Sequence, residues 1–591
     1  MKKSTVAPLL ACLLLSPLAF TSCTDDHYDL NEVDSTIGVG SDGLRLPTSS
    51  TDEIQLSDVL ELNESDVVKI QENGDYMFEQ DGGDVTPARP MIDIIQISKQ
   101  STPTSEALVI PKNLITGINA MGKKTGVRKA DNIGKEAPVN QFDFSGNKPA
   151  EVLSLKTVSV DANIKLAVSF SSALKSCVTR IAKLSLNMPS YMSFTASTTS
   201  GDLSVNGHKI TLANISTANE ITLNIDINAL DFKSGNNGTL AIEGGKIKMD
   251  GTVEMGVEIS PSDINLSGLT SGDLSITSQI QFPDFKVTGA QGRFSPTIDL
   301  GNLGEATINN VPDFLKDGNV VVDLANPQIW LTTNSDLTLD GYVDGVIKAY
   351  KKGQVIASVN VDNIKIKANE TSKICICRNA ASLEDRSMFT DVIEVPTLST
   401  LIRTIPDKLV FEANARADSQ NEYAITFGRQ YNISPSYTIK APIAFAEDAR
   451  IVYNDSIEDM NKDLKDLDFA EGTYINVDAN VENKVPAHLT VSAYAVDING
   501  KRMSDDLISI VVSNVVAASP DGTTPVVTPL NVKVQQKKAG VLKNVDKLMF
   551  TIEGSAKENG NTVEGVTLNA YKHTLVARDI VVKVVGKMII E

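Results

Sequence analysis

Ile221-Thr222-Leu223-Asn224-Ile225-Asp226-Ile227 puts an apolar side chain at every second position and a polar one between. Successive side chains of a β-strand point to opposite faces, so a period of two marks a strand with one face buried and the other wet. Ile247-Lys248-Met249 and Val253-Glu254-Met255-Gly256-Val257-Glu258-Ile259 repeat the pattern. Turn-forming residues punctuate the chain at Asn73-Gly74, Asn206-Gly207, Asn236-Asn237-Gly238, Asp250-Gly251, Asn499-Gly500 and Asn559-Gly560, all types that tolerate the positive φ of a tight hairpin. Alternating strands joined by short polar turns fold as antiparallel sheet. The predicted fold is therefore mainly β, a multidomain array of tandem antiparallel β-sandwiches or long curved sheets. Helix is expected in one or two short places: Asp455 to Leu467, capped by Asp455 or Ser456 with Ile457, Met460, Leu464 and Leu467 on one face, and Thr397 to Thr404.

A length of 591 residues is far more than one hydrophobic core organises and predicts roughly three to five domains. Hydrophobic residues make up 41% and charged residues 22%, enough apolar surface to exclude a wholly disordered chain. The formal charge of -20 argues against a polyanionic partner, so nucleic acid is not expected and basic partners are favoured. Composition divides the chain into residues 1–22, a signal segment; 23–50, an acidic tether; 51–120, a small β element holding the Asn73-Gly74 hairpin; 121–148, a basic linker; 149–304, an antiparallel β domain; and two modules, 305–450 and 451–591.

The last two modules are read from an internal repeat. Asp407-Lys408-Leu409-Val410-Phe411 returns as Asp546-Lys547-Leu548-Met549-Phe550, each time followed by a polar hairpin, Ala417 to Glu422 and Ala556 to Asn561. Upstream of each lies a strand, an Ala-Tyr pair (Ala349-Tyr350, Ala493-Tyr494) and a glycine turn at Gly353 or Gly500. These upstream parts, roughly 320–378 and 470–535, resemble the small β-sandwich of late-embryogenesis-abundant, water-stress type domains, as in Val496-Asp497-Ile498-Asn499-Gly500. The resemblance implies an immunoglobulin-like sandwich and brings no catalytic residues with it.

The N-terminus carries an address. Lys2 and Lys3 precede an apolar run from Val6 to Phe20, too short to span a bilayer as a helix and suited to a signal-peptide core. It ends in Phe20-Thr21-Ser22-Cys23, which resembles the lipobox of bacterial lipoprotein precursors, with Phe20 where the family usually has Leu. That resemblance implies cleavage between Ser22 and Cys23 and a diacylglycerol, palmitate-type anchor on Cys23; the alternative is an ordinary signal peptide ending near Ser22. Thr24-Asp25-Asp26 and the acidic run behind it resemble the export tag of surface-exposed outer-membrane lipoproteins of Bacteroidetes, with Asp25 and Asp26 as its acids. The alternative there is a solvated linker on a periplasm-facing anchor. Asp34-Ser35-Thr36 and Asp455-Ser456-Ile457 resemble the O-glycosylation sequon of the same bacteria, which makes Ser35 and Ser456 candidate sites.

Little in the sequence supports catalysis. Gly117 to Lys124 misses a phosphate-binding loop by having Lys124 where Ser or Thr should hold magnesium, so no nucleotide is expected. Once Cys12 leaves with the signal and Cys23 is acylated, Cys177, Cys375 and Cys377 remain, too few for a disulfide framework. Cys375 and Cys377 stand two apart on one strand face without the four ligands zinc wants, the four histidines being scattered at 27, 208, 488 and 573. Asp463, Asp466 and Asp468 do not complete a calcium loop. No metal, cofactor or catalytic residue is assigned. Aromatics are only 5% of the chain, which counts against glycosidase work, because a glycan groove built around the lone Trp330 would be thin. Three functions remain in competition: a non-enzymatic, lipid-anchored surface protein that binds a partner protein or glycan, adheres or assembles; a lipid-handling protein with a groove of amphipathic strands; and a hydrolase with a cryptic site in 150–300.

Overall fold

The computed structural model describes residues 36–47, 50–60, 67–122, 132–232, 235–309, 311, 320–464 and 468–589. Four strands open it: β1 (Thr36–Pro47), β2 (Ile54–Gln55), β3 (Val68–Ile70) and β4 (Tyr76–Asp81). β3 and β4 form the expected hairpin, with Gly74 at φ 89° in the turn. None of the four builds a sheet of its own; each is added to a sheet made much later in the chain.

The central body comprises β5 (Ile95–Lys99), β6 (Thr104–Ser105), β7 (Leu108–Val109), β8 (Ile133–Asn147), β9 (Val152–Phe170), β10 (Arg180–Asn187), β11 (Met192–Thr198), β12 (Asp202–Asn206), β13 (Lys209–Ser216), β14 (Ile221–Asp231), β15 (Gly238–Glu243), β16 (Lys246–Ile259), β17 (Ser275–Gln281) and β18 (Phe285–Phe294). One sheet runs β11-β14-β9-β18 and the other β12-β13-β10-β16-β8, and β5 joins them by pairing with β18 on one side and β8 on the other. On β14 the alternation is realised as read: Ile221, Leu223, Ile225 and Ile227 are buried, while Thr222 and Asp226 are exposed. At the join, Phe142 and Phe144 of β8 meet Phe282 and Phe285, with Phe144 edge-on to Phe285 at 5.2 Å and to Phe282 at 5.7 Å.

Residues 133–147 thus form a central strand where a linker is expected from 121–148. The basic residues around Lys123 and Arg128 dominate the composition of that window, yet Val139, Phe142 and Phe144 behind them are buried against β16 and β5. Asp250-Gly251, expected as a turn, lies inside β16; the hairpin turn is Gly244-Gly245, at φ 56° and 75°. Gly251 is there because a Cβ would come within 2.4 Å of the Phe142 ring.

The following sandwich contains β19 (Asn302–Thr307), β20 (Gln328–Ser335), β21 (Gly341–Lys351), β22 (Gln354–Ile366), β23 (Thr371–Cys377), β24 (Asp391–Glu394), β25 (Lys408–Ala417), β26 (Tyr423–Thr426) and β27 (Ile433–Pro442). Sheet β24-β23-β20-β27-β4-β3 packs on sheet β19-β25-β21-β22, where Phe411 of β25 meets Tyr437 of β27. The last sandwich contains β28 (Arg450–Ile457), β29 (Asp468–Phe469), β30 (Tyr474–Asn483), β31 (His488–Asp497), β32 (Ile508–Ser513), β33 (Val526–Gln536), β34 (Val545–Ser555), β35 (Lys557–Glu558), β36 (Asn561–Thr562) and β37 (Thr574–Ile589), with sheets β32-β33-β30-β37-β1 and β28-β34-β31.

The two sandwiches share a strand plan. β20 lies between β23 and β27 as β30 lies between β33 and β37, and β25 lies between β19 and β21 as β34 lies between β28 and β31. The repeated Asp407–Phe411 and Asp546–Phe550 segments fall at the starts of β25 and β34. β22 departs from the plan, pairing with β21, whereas β32 pairs with β33 in the opposite sheet. In both, an N-terminal strand covers the outer edge of the last strand: β4 on β27, β1 and β2 on β37.

One apolar cluster runs from Leu56 through the central body and the first sandwich, so the segments 51–120, 149–304 and 305–450 are packed around a shared core; the second sandwich has its own, from Ile457 to Val584. β26 couples the central body to the first sandwich by pairing with β18, and Phe294 and Phe427 meet edge-on at 6.2 Å. Among the described residues there are four short α-helices, Leu56–Leu60, Lys112–Gly122, Ser172–Cys177 and Met460–Leu464, more than the one or two expected. The helix expected over 455–467 starts later than read. Pairing of β28 with β34 carries Asp455, Ser456 and Ile457, Asp459 turns at φ 65°, and among the described residues of that span Met460–Leu464 is helical. A 3₁₀ turn, Leu398–Leu401, stands for the helix expected at Thr397–Thr404.

Candidate functional site

Ser22, Cys23, Asp25, Asp26 and Ser35 lie outside the described residues. Ser456 is not at a helix cap: it sits half-buried in β28 opposite Met549, its N–H donating to the Asp455 carboxylate at 2.7 Å, so its neighbour spends an oxygen on the sequon's own backbone.

The outer face of sheet β24-β23-β20-β27-β4-β3 carries Trp330. Alternation along β20 turns Ile329 and Leu331 into the core and leaves Trp330 half-exposed. Its cross-strand neighbours are Cys375 on β23 and Thr438 on β27. The indole Nε1 donates to Gln328 Oε1 at 2.8 Å, the Phe389 ring stands edge-on at 5.2 Å, and the Lys440 ammonium lies 4.2 Å from the indole centroid. Lys440 also pairs with Glu79 at 3.5 Å, Glu79 with Lys69 at 3.6 Å, and the Thr438 hydroxyl donates to Asp81 at 2.8 Å. The result is a notch with an aromatic floor, one wall of alternating charge from β27, β4 and β3, and a second wall formed by the loop between β23 and β24. Such a floor stacks on the apolar face of a sugar ring or takes an apolar or cationic side chain, and the charged wall supplies donors and acceptors.

That loop is tied down. Arg378 donates to Asp323 at 2.9 Å and to the Leu324 carbonyl at 2.8 Å, Asn379 and Asp385 cap its two 3₁₀ turns, and the Thr390 hydroxyl donates to the Lys373 carbonyl. It lifts Met388, 51% exposed, to the rim beside Phe389. Cys375 and Cys377 lie fully buried beneath it. The hydrogen bond with Cys377, together with burial, holds the Cys375 thiol above the usual thiol range.

The three described histidines lie apart from one another. The His208 Nδ1 lies 3.0 Å from the Met192 carbonyl at the β12–β13 turn, while His488 and His573 are buried in the last sandwich. Among the described residues no three His, Cys, Asp or Glu side chains come together as metal ligands. Between the sheets of the first sandwich is an apolar cavity lined by Leu331, Thr333, Val343, Ile366, Ala415 and Ile433, about 20 Å³ in volume. That is room for about one water, far below the few hundred Å³ of a small-molecule pocket.

Trp330 stands out in the sequence as the lone tryptophan. Lys440 and Glu79 do not, because only strand pairing across more than a hundred residues brings them to it, and Phe389 arrives on the loop after β23. No helix among the described residues is long and apolar enough to cross a membrane. No protein-family model matches the chain, and no curated protein matches it. Among solved structures, a Parabacteroides distasonis protein described as secreted is similar over 50% of this chain and 82% of its own, at 16% identity and a TM-score of 0.35. The infectious bursal disease virus VP2 subviral particle is similar over 85% and 86%, at 9% identity and a TM-score of 0.16. At these scores the likenesses carry no argument about function.

Proposed function

We propose that this chain is a lipid-anchored outer-membrane surface protein that works by binding, with the Trp330 notch as the contact for a partner protein or glycan. The observation that carries the reading is the half-exposed indole held between Phe389 and Lys440 on an open sheet face. Only the sequence around Cys23 speaks for the anchor: a cysteine bearing several acyl chains holds a soluble body on a membrane where one chain is marginal.

Two measurements test the two halves. Digestion of intact cells by external protease is expected for the wild type, and Cys23→Ala is expected to leave the membrane fraction; protection from protease would place the protein facing the periplasm. For the notch, Trp330 is the chain's only tryptophan, so its emission reports directly on occupancy. A true ligand from a glycan or protein panel is expected to shift that emission, and Trp330→Ala is expected to weaken its binding about 30-fold, the cost of about 2 kcal/mol typical of a central aromatic contact. Unchanged affinity in the variant would remove the notch from the account.

A further inference from the structure

We infer that the C-terminal sandwich is the membrane-facing end of the molecule and the central body, residues 95–294, its outermost part. The inference rests on acylation of Cys23.

It follows from where the N-terminal chain is bound. Residues 23–50 are expected from composition to be a free tether, but β1 runs antiparallel along β37, Thr36 opposite Ile589 and Pro47 opposite Val581. The alignment continues with the Thr51 N–H donating to the Ala577 carbonyl at 2.9 Å and with Ile54 opposite Leu575. Residues 36–47 and 51–55 are thus strapped along one edge of the last sandwich, so Thr36, fixed at the end of that sandwich, lies thirteen residues after Cys23. Thirteen residues of chain can separate two points by no more than about 45 Å.

The strap also has a direction. Thr36 lies at the end of the sandwich where β37 finishes, beside Phe469, Tyr474 and the turn after Gln536. From there β37 rises for 16 residues, about 50 Å at the usual strand rise, before the next unit begins. At its far end Asp75 bridges to Asn569 and Ala444 to Thr567, which attach the first sandwich. The opposite end of that sandwich, where Ile433 begins β27, holds the central body through β26 on β18. Among the described residues no strand pairing joins the last sandwich directly to the central body. The spatial order from the anchor is last sandwich, first sandwich, central body, which is not the order of the chain. The lipid surface is therefore the partner of the Phe469–Gly472 and Gln536–Gly540 turns, and the Trp330 notch lies partway out.

Energy transfer to a bilayer tests this. The lipidated full-length protein is reconstituted into vesicles carrying a headgroup acceptor dye, with a donor on Lys538→Cys in one sample and on Val205→Cys in another. Both positions are exposed, and Cys177, Cys375 and Cys377 are buried, so labelling is confined to the new thiol. Transfer several-fold more efficient from position 538 than from position 205 is expected. Equal transfer, or the reverse, with the protein bound to vesicles would overturn the orientation and leave the anchor standing. Failure of the wild-type chain to join vesicles, matching a Cys23→Ala control, would overturn both.

Discussion

Phe144→Ala is expected to destabilise the protein by about 3–5 kcal/mol, the range for emptying a well-packed aromatic site. The ring is 2% exposed and stands edge-on to Phe142, Phe282 and Phe285 where β5 and β8 tie the two central sheets together. Its removal takes away apolar burial and three ring contacts at once, at a site fixed by three strands that cannot close on the space. Denaturant unfolding followed by Trp330 emission is the measurement, because Trp330 stands in a sheet built on the same continuous apolar cluster while the last sandwich has a separate core. Leu153→Ala, exposed on β9, is the control and should stay within about 0.5 kcal/mol. A linker phenylalanine would behave like the control. A midpoint unmoved by Phe144→Ala would therefore return residues 133–147 to the linker that composition suggests and dismantle the join.

What the sequence discloses and what it hides have one cause. Period-two alternation is local, so Ile221–Ile227 and Val253–Ile259 announce strands and their buried faces with no knowledge of partners. The Asp407–Phe411 repeat is local too, and it marks the matching strand of two sandwiches built on one plan. Pairing is not local. β1 finds β37 more than 500 residues away and β4 finds β27 more than 350 away, so the first hundred residues look like a tether and a free-standing element. The helix expected over 455–467 loses its start similarly: Met460–Leu464 is helical, but the open edge of β34 claims Arg450 to Ile457 first, and ladder pairing outweighs a propensity worth tenths of a kcal/mol per residue. Of the candidate contact site, Trp330 is visible from its rarity, while Lys440, Glu79 and Phe389 arrive from other strands and a loop.

Acid should unfasten the last sandwich through His573 before it titrates most carboxylates. The ring is 3% exposed and accepts the Asn569 N–H at Nδ1, 3.0 Å away, with Gly522 pressed so close that a Cβ there would lie 2.2 Å from Nε2. Burial brings its pKa down to about 4, with Lys572 acting in the same direction and Asp75 opposing. An unfolded histidine titrates near 6.5, so as pH falls the unfolded chain takes the proton first. Stability is thus whole above about pH 6.5, falls between 6.5 and 4, and levels off below. At 1.36 kcal/mol per pH unit the loss reaches roughly 3 kcal/mol. Buried His488 adds to the same slope: burial lowers its pKa against the pull of Glu558 and of the Asn561 backbone. Carboxylates held low by hydrogen bonds, such as Asp497 and Asp521, lose their contribution mainly at lower pH, which keeps the histidine window distinct. Urea midpoints from pH 7.5 to 4 are expected to fall for the wild type and to fall much less for His573→Asn, whose amide oxygen can accept the Asn569 N–H without titrating. Equal slopes would show that His573 is protonated in the folded state and that the joint holding β37, the Leu56–Leu60 helix and the Asn73-Gly74 turn is not sensitive to acid there.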